Sequence, residues 1–122
     1  KGKMSHNENK VINELKSIQF DLNRVEINKG FFNQKNIDFF KFPNSISFAY
    51  IDFDFYQPTL DVLNKIQNKL SKESIIIIDD YDFFSTGAKT AVDEWHLNKE
   101  DIFKLTKIRT TNSSFVVIKK LK

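Results

Sequence analysis

Four aspartates stand in two close pairs, Asp52-Phe53-Asp54 and Asp79-Asp80. Each pair closes a nearly apolar run: Ile46-Ser47-Phe48-Ala49-Tyr50-Ile51 before the first, Ile75-Ile76-Ile77-Ile78 before the second. Carboxylates gathered in one place repel one another and need a cation, shared protons or basic partners. Hard divalent ions such as magnesium take oxygen ligands and keep positions for water or substrate. Three carboxylates are adequate for that, and a fourth is then free to act as a general base close to the metal. A lone aspartate at such a place is more simply a helix cap or a solvated turn residue; four on one sheet edge are harder to dismiss that way.

Whether the four meet depends on the elements that carry them. A continuous apolar run suits a strand buried on both faces, as in a parallel sheet. The pattern predicts strands over Ile46–Asp52 and Ile75–Asp79, joined by a helix over Pro58–Leu70 with Leu60, Leu63, Ile66 and Leu70 as its buried stripe. Pro58 suits the first helical turn, and Ser71-Lys72-Glu73 reads as the turn back to the sheet. Parallel neighbours joined by a helix place both C-terminal ends on one sheet edge, where open α/β sheets bind ligands. If the first strand runs on, Asp52 and Asp54 share a face, with Phe53 and Phe55 on the other. Asp79 and Asp80 are adjacent, so they serve one site only if the backbone turns there.

Upstream, Ser5 with Glu8 three residues later fits a capping box for a helix from about His6 to Gln19, with Val11, Ile12, Leu15 and Ile18 on one stripe. Arg24–Asn28 alternates like a short strand, and Gly30 at its exit permits a positive φ or a close approach to a ligand. The Phe-rich stretch from Asn33 to Pro43 is expected to pack down. Downstream, Tyr81–Thr86 reads as a loop, and Ser85 or Thr86 can cap a helix over Gly87–Leu97 with Ala88, Ala91, Val92 and Trp95 inward. Phe103–Arg109 and Ser114–Lys119 read as an antiparallel hairpin around Thr110-Thr111-Asn112-Ser113. Trp95 is expected in the core, and His6 and His96 at the surface. Tyr56 and Tyr81, each following a carboxylate pair, suit lining the site or packing equally well.

The 122 residues suit a single α/β domain, and 13 Phe provide for a core. There is no Cys, hence no disulfide framework and no thiolate zinc site. No apolar run approaches the ~18 residues of a membrane span. The net charge of +3 is spread along the chain, apart from a basic tail at Lys119-Lys120-Leu121-Lys122. With no basic stripe interleaved with aromatics, neither nucleic acid nor membrane is the expected partner, and a cytoplasmic location is the default.

Ile51-Asp52-Phe53-Asp54-Phe55-Tyr56-Gln57-Pro58-Thr59 resembles the Asp-x-Asp-x-Tyr-x-x-Thr motif of macrocin-type O-methyltransferases. Ile77-Ile78-Asp79-Asp80-Tyr81 is similar to that family's second motif, Gly87-Ala88-Lys89-Thr90-Ala91-Val92-Asp93-Glu94 to its following helix, and Lys29-Gly30-Phe31-Phe32 to its upstream Lys-Gly-Trp-Phe. The resemblance implies a metal-dependent enzyme that uses S-adenosylmethionine to methylate a sugar hydroxyl. By the same resemblance, Asp52, Asp79 and Asp80 match the Mg²⁺ ligands and Asp54 the base. Gly30, Phe31, Phe32, Asn33 and the backbone near Phe53 match the surroundings of the cofactor. The implied fold is the C-terminal part of a Rossmann-like methyltransferase sheet: parallel strands, helices on both faces and a closing antiparallel hairpin.

The chain departs from the family in its upstream motif and in its cofactor turn, and the acidic residue expected to hold the ribose is also missing upstream. Gln34-Lys35-Asn36-Ile37 stands where the family continues Asp-Thr-Leu-Pro, and the three glycines, Gly2, Gly30 and Gly87, form no G-x-G turn after an N-terminal strand. The expectation is therefore an incomplete domain that carries the metal and base half of the site. An edge left open beside Arg24–Asn28 would then ask for a partner, for example a second copy. Two alternatives remain: a shortened, catalytically inactive methyltransferase-like subunit, and a metal-dependent phosphatase resembling the haloacid-dehalogenase type. The phosphatase family also needs a Ser/Thr strand end and a Lys between its motifs.

Overall fold

The computed structural model describes residues 7–82 and 86–122. The chain forms two compact units, one reaching to Phe31 and the other beginning at Phe32. In the first unit, helix α1 spans Glu8–Ser17. Its cap is Asn7, whose Oδ1 accepts the Lys10 N–H at 2.8 Å. The expected cap Ser5, with His6, lies outside the described residues, and the helix starts two residues later than expected. No residue of α1 is buried.

Arg24–Asn28 forms no strand. Leu22–Arg24 is a 3-10 turn capped by Asp21, and the chain then runs on without regular structure. Alternation marks residues that suit a strand, but the N–H groups of Arg24 and Val25 are taken by the turn before them, donating to the Asp21 and Leu22 carbonyls at 3.1 Å. Gly30 follows with φ 152°, a value L side chains rarely adopt.

The second unit is built on a four-stranded sheet of order β1-β2-β4-β3. Strand β1 (Ile46–Ile51) runs parallel to β2 (Leu70–Ile78). Strands β3 (Phe103–Arg109) and β4 (Ser114–Lys120) form the antiparallel hairpin, and β4 pairs antiparallel with β2. The hairpin loop closes on Thr110, whose Oγ1 accepts the Ser113 N–H at 3.0 Å. Ser71-Lys72-Glu73 is part of β2 rather than a turn. The register jumps from Ile46↔Leu70 to Phe48↔Ile75, and Glu73 takes φ 65° within the irregularity. The extra length of β2 is absorbed as a bulge inside the ladder.

Helix α2 covers Tyr56–Ile66 and tightens into a 3-10 turn at Gln67–Lys69. Its buried line is Thr59, Val62, Leu63 and Ile66, a spacing of three, one and three that suits one helical face. Leu60 is only partly buried, so the stripe is rotated from the expected one. Thr59 tolerates full burial because its Oγ1 donates to the Phe55 carbonyl at 2.7 Å. Helix α3 (Gly87–His96) buries Ala88, Ala91, Val92 and Trp95 as expected. Ser85 lies outside the described residues, and the Thr86 side chain makes no capping bond.

Helices α2 and α3 pack on each other and share one core with Ile76 and Ile78 of β2 and Val116 and Ile118 of β4. Trp95 is 2% exposed, with its ring centroid 4.7 Å from that of Phe103. His96 is not a free surface residue: its Nε2 lies 2.7 Å from the Phe103 carbonyl oxygen, linking the end of α3 to β3. The Phe-rich segment packs down through Phe32, Phe40 and Phe42, whereas Phe39 is exposed. Among the described residues no helix is long and apolar enough to cross a membrane.

Candidate functional site

Because β1 and β2 are parallel and in register from Phe48↔Ile75 to Ile51↔Ile78, they stop at the same edge. Both apolar runs therefore deliver their carboxylates to one place. The Asp79 N–H still donates to the Ile51 carbonyl at 2.9 Å, extending the ladder one step beyond the strands. After it the backbone turns: Asp80 has φ 46° and Asp54 has φ 58°. Left-handed φ at residues other than glycine is uncommon and clusters at functional sites. These two turns, rather than a continued strand, bring the side chains together.

Carboxylate oxygens of Asp52, Asp54 and Asp80 lie within 4.8 Å of one another. Asp79 is beside them with both oxygens engaged: Oδ2 accepts from the Tyr50 hydroxyl, and Oδ1 accepts the Asp80 N–H at 2.8 Å. Burial first, then the charges of Asp79 and Asp54, raise the Asp52 carboxyl above its ordinary pKa. Asp80 is raised for the same reasons, burial leading and the carboxylates of Asp79, Asp54 and Asp52 following. The Tyr50 phenol is pushed up to about 12, chiefly by its bond to Asp79. An all-oxygen, strongly negative donor set of this size suits a hard divalent cation.

Of the residues matched to the cofactor, Phe32 and Phe53 stack on each other, with centroids 5.0 Å apart and planes 21° apart. Both pack against the core. Asn33 sits in the turn beside them, its Oδ1 accepting the Lys35 N–H at 2.9 Å. Gly30 and Phe31 belong to the first unit, and the Phe31 ring is exposed.

Sequence reasoning passed over Tyr50. Its signal was the period of two: Tyr50 pairs with Ile77, and Asp79 lies two residues beyond Ile77, so the phenol and the carboxylate share a sheet face. Replacing Asp79 with Asn should bring the Tyr50 ionisation down towards the ordinary value of about 10. Tyrosinate absorbance followed through an alkaline titration checks this, and an unchanged high transition would count against the bond. Tyr56 donates to Glu94 Oε2 and Tyr81 to Asp93 Oδ1, each at 2.5 Å, and the Tyr81 side chain is buried.

Residues 3–115 match the family model described as Macrocin-O-methyltransferase (TylF). Among solved structures, the chain is similar to the O-methyltransferase NovP, with 25% identity and a TM-score of 0.54 over 65% of this chain and 31% of that one. It is also similar to an rRNA methylase from Streptococcus thermophilus, with 18% identity and a TM-score of 0.70 over 93% of this chain and 67% of that one. At that identity the second likeness speaks for the Rossmann-like methyltransferase fold alone. The chain thus spans about two thirds of one of these structures and under a third of the other. None of the curated proteins compared matches it.

Proposed function

Since the chain belongs to the macrocin-O-methyltransferase family, we propose that it carries the metal and base half of a magnesium-assisted site that methylates a sugar hydroxyl with S-adenosylmethionine. The observation that carries this reading is the convergence of Asp52, Asp54 and Asp80 where two adjacent parallel strands end. Asp52, Asp79 and Asp80 are assigned to the cation and Asp54 to the proton. When bound, magnesium supplies the positive charge that makes a nearby hydroxyl more acidic. Asp54, on its own turn, accepts the hydroxyl proton. S-adenosylmethionine, when bound, would supply an electrophilic methyl group on its sulfonium to the oxygen from which Asp54 takes the proton. Alignment of the two reactants supplies much of the rate.

Asp79 is assigned to the cation although it stands outside the closest trio, because its carboxylate is oriented by Tyr50 and the Asp80 amide. Each carboxylate oxygen has a further lone pair for a cation, and hydrogen bonds that fix a ligand's orientation are how outer partners tune a metal site. Phe32, Asn33 and Phe53 are proposed to line the methyl donor, and the family resemblance extends that proposal to Gly30 and Phe31. The substrate is proposed to be a small glycoside.

The test pairs calorimetric titration of Mg²⁺ and S-adenosylmethionine with transfer of a labelled methyl group to a panel of glycosides, with and without chelator. Turnover should vanish with chelator. Asp54→Asn should abolish turnover yet retain cation binding. Cation binding undiminished after Asp79→Ala and Asp80→Ala would sink the metal assignment.

A further inference from the structure

We propose that α3 is a brace that sets the carboxylate cluster, with Tyr56 and Tyr81 as positioning residues acting through Glu94 and Asp93. This rests on the cation-binding reading of the cluster given above. Two of the three converging aspartates hold backbone conformations that L residues rarely adopt, φ 58° at Asp54 and 46° at Asp80. Such conformations persist only where the surrounding structure over-determines them.

Each strained residue is followed closely by a tyrosine tied to α3. Tyr56, two residues after Asp54, donates to Glu94 Oε2 at 2.5 Å. Tyr81, next to Asp80, donates to Asp93 Oδ1 at 2.5 Å. The two acceptors are neighbours on one helix, so a single rigid element holds both turns. The Tyr81 anchor is reinforced on three sides. Its N–H donates to the Ser114 carbonyl at 2.9 Å, the Lys107 ammonium lies 5.2 Å from its ring centroid, and Lys89 meets Asp93 Oδ2 at 3.1 Å.

The other end of α3 grips the β1 turn as well. A Cβ placed on Gly87 would stand 2.8 Å from the Tyr56 nitrogen and 3.1 Å from the Asp54 carbonyl oxygen. The turn carrying Asp54 is therefore held at both ends of one helix, by contact at Gly87 and by a hydrogen bond at Glu94. Asp93 and Glu94 are not among the converging carboxylates. Their effect reaches the cation only through the placement of Asp54 and Asp80. Binding constellations lose function when held more loosely than about 0.5 Å, so releasing a strut should register as weaker binding.

The test is Mn²⁺ titration of the 122-residue chain, followed by the electron spin resonance of the free ion, with a thermal melt recorded for each variant. Tyr56→Phe and Tyr81→Phe should each weaken Mn²⁺ binding about 10-fold, and the double variant up to about 100-fold, the span seen for outer partners of metal ligands. Glu94→Gln keeps an acceptor for the Tyr56 hydroxyl and should bind like wild type, whereas Glu94→Ala should behave like Tyr56→Phe. Glu94 is exposed, so these variants keep the test decisive even if Tyr81→Phe disturbs the core. Equal losses for Glu94→Gln and Glu94→Ala would show a role of charge and overturn the brace. A double tyrosine variant binding within twofold of a Mn²⁺-binding wild type would overturn the brace alone. A wild type that takes up no Mn²⁺ would overturn the cation reading and the brace with it.

Discussion

Asp52→Asn is expected to stabilise the cation-free chain at neutral pH and to weaken divalent-cation binding by well over ~100-fold, beyond what loss of an outer partner costs. The two effects share one origin. Folding partly desolvates Asp52, which stays exposed, and brings it close to the carboxylates of Asp79 and Asp54, and this raises its pKa in the native state. An acid whose native pKa lies above its unfolded value contributes stability that is present below the unfolded pKa and lost as pH rises through the native one. The cation-free protein therefore carries a repulsive load at neutral pH that Asn removes. The melting difference between Asp52→Asn and wild type, measured in chelator, should shrink to nothing as pH falls below about 4, the ordinary range of the group. Comparing variant with wild type matters because Asp93 runs the other way. Burial pushes it up, but the Tyr81 hydroxyl, Lys89 and Lys107 outweigh that and lower it. Its stabilisation is lost as pH falls. A difference that persists unchanged in acid would refute the electrostatic account.

Gly87→Val is expected to cost about 3 kcal/mol or more in denaturant melts, the upper part of the range for overpacking. Helix propensity alone argues for a gain on leaving glycine, about 1 kcal/mol for alanine. The obstruction decides otherwise. A Cβ at Gly87 would meet the Tyr56 nitrogen at 2.8 Å, the Asp54 carbonyl oxygen at 3.1 Å and the Phe55 carbonyl carbon at 3.3 Å. All three are backbone atoms, so no side chain can swing aside. Either α3 lifts from the β1 turn or that turn moves and takes Asp54 with it. A Gly87 variant as stable as wild type would mean that helix and turn separate without cost.

The site was legible where one period dominates. The apolar runs of β1 and β2, the Ala88-Ala91-Val92-Trp95 stripe of α3 and the β3–β4 hairpin all lie where their patterns place them. The gathering of aspartates at one edge followed from the parallel pairing. What pattern could not supply was anything dependent on a partner distant in sequence. Arg24–Asn28 has strand-like alternation but joins no sheet, and its first N–H groups bond back to Asp21 and Leu22. The β2 bulge at Glu73 depends on its register against Ile46. Convergence of Asp52 and Asp54 was argued from a continuing strand; it comes instead from the left-handed turn at Asp54. Asp79 stands apart from the closest trio with its Oδ2 accepting from Tyr50, a pairing that the period of two yields only once the register of β1 on β2 is known.

Helix α1 sets a second clock in this protein. It has ten residues and none of them is buried. Isolated helices shorter than about 12–15 residues are marginal in water, so α1 leans on its Asn7 cap and on its packing against the Leu22–Arg24 turn. Its amide hydrogens should trade with solvent deuterium early, while those of Ile76, Ile78, Val116 and Ile118, paired in the sheet and sealed in its core, wait for the rarer opening of the whole unit.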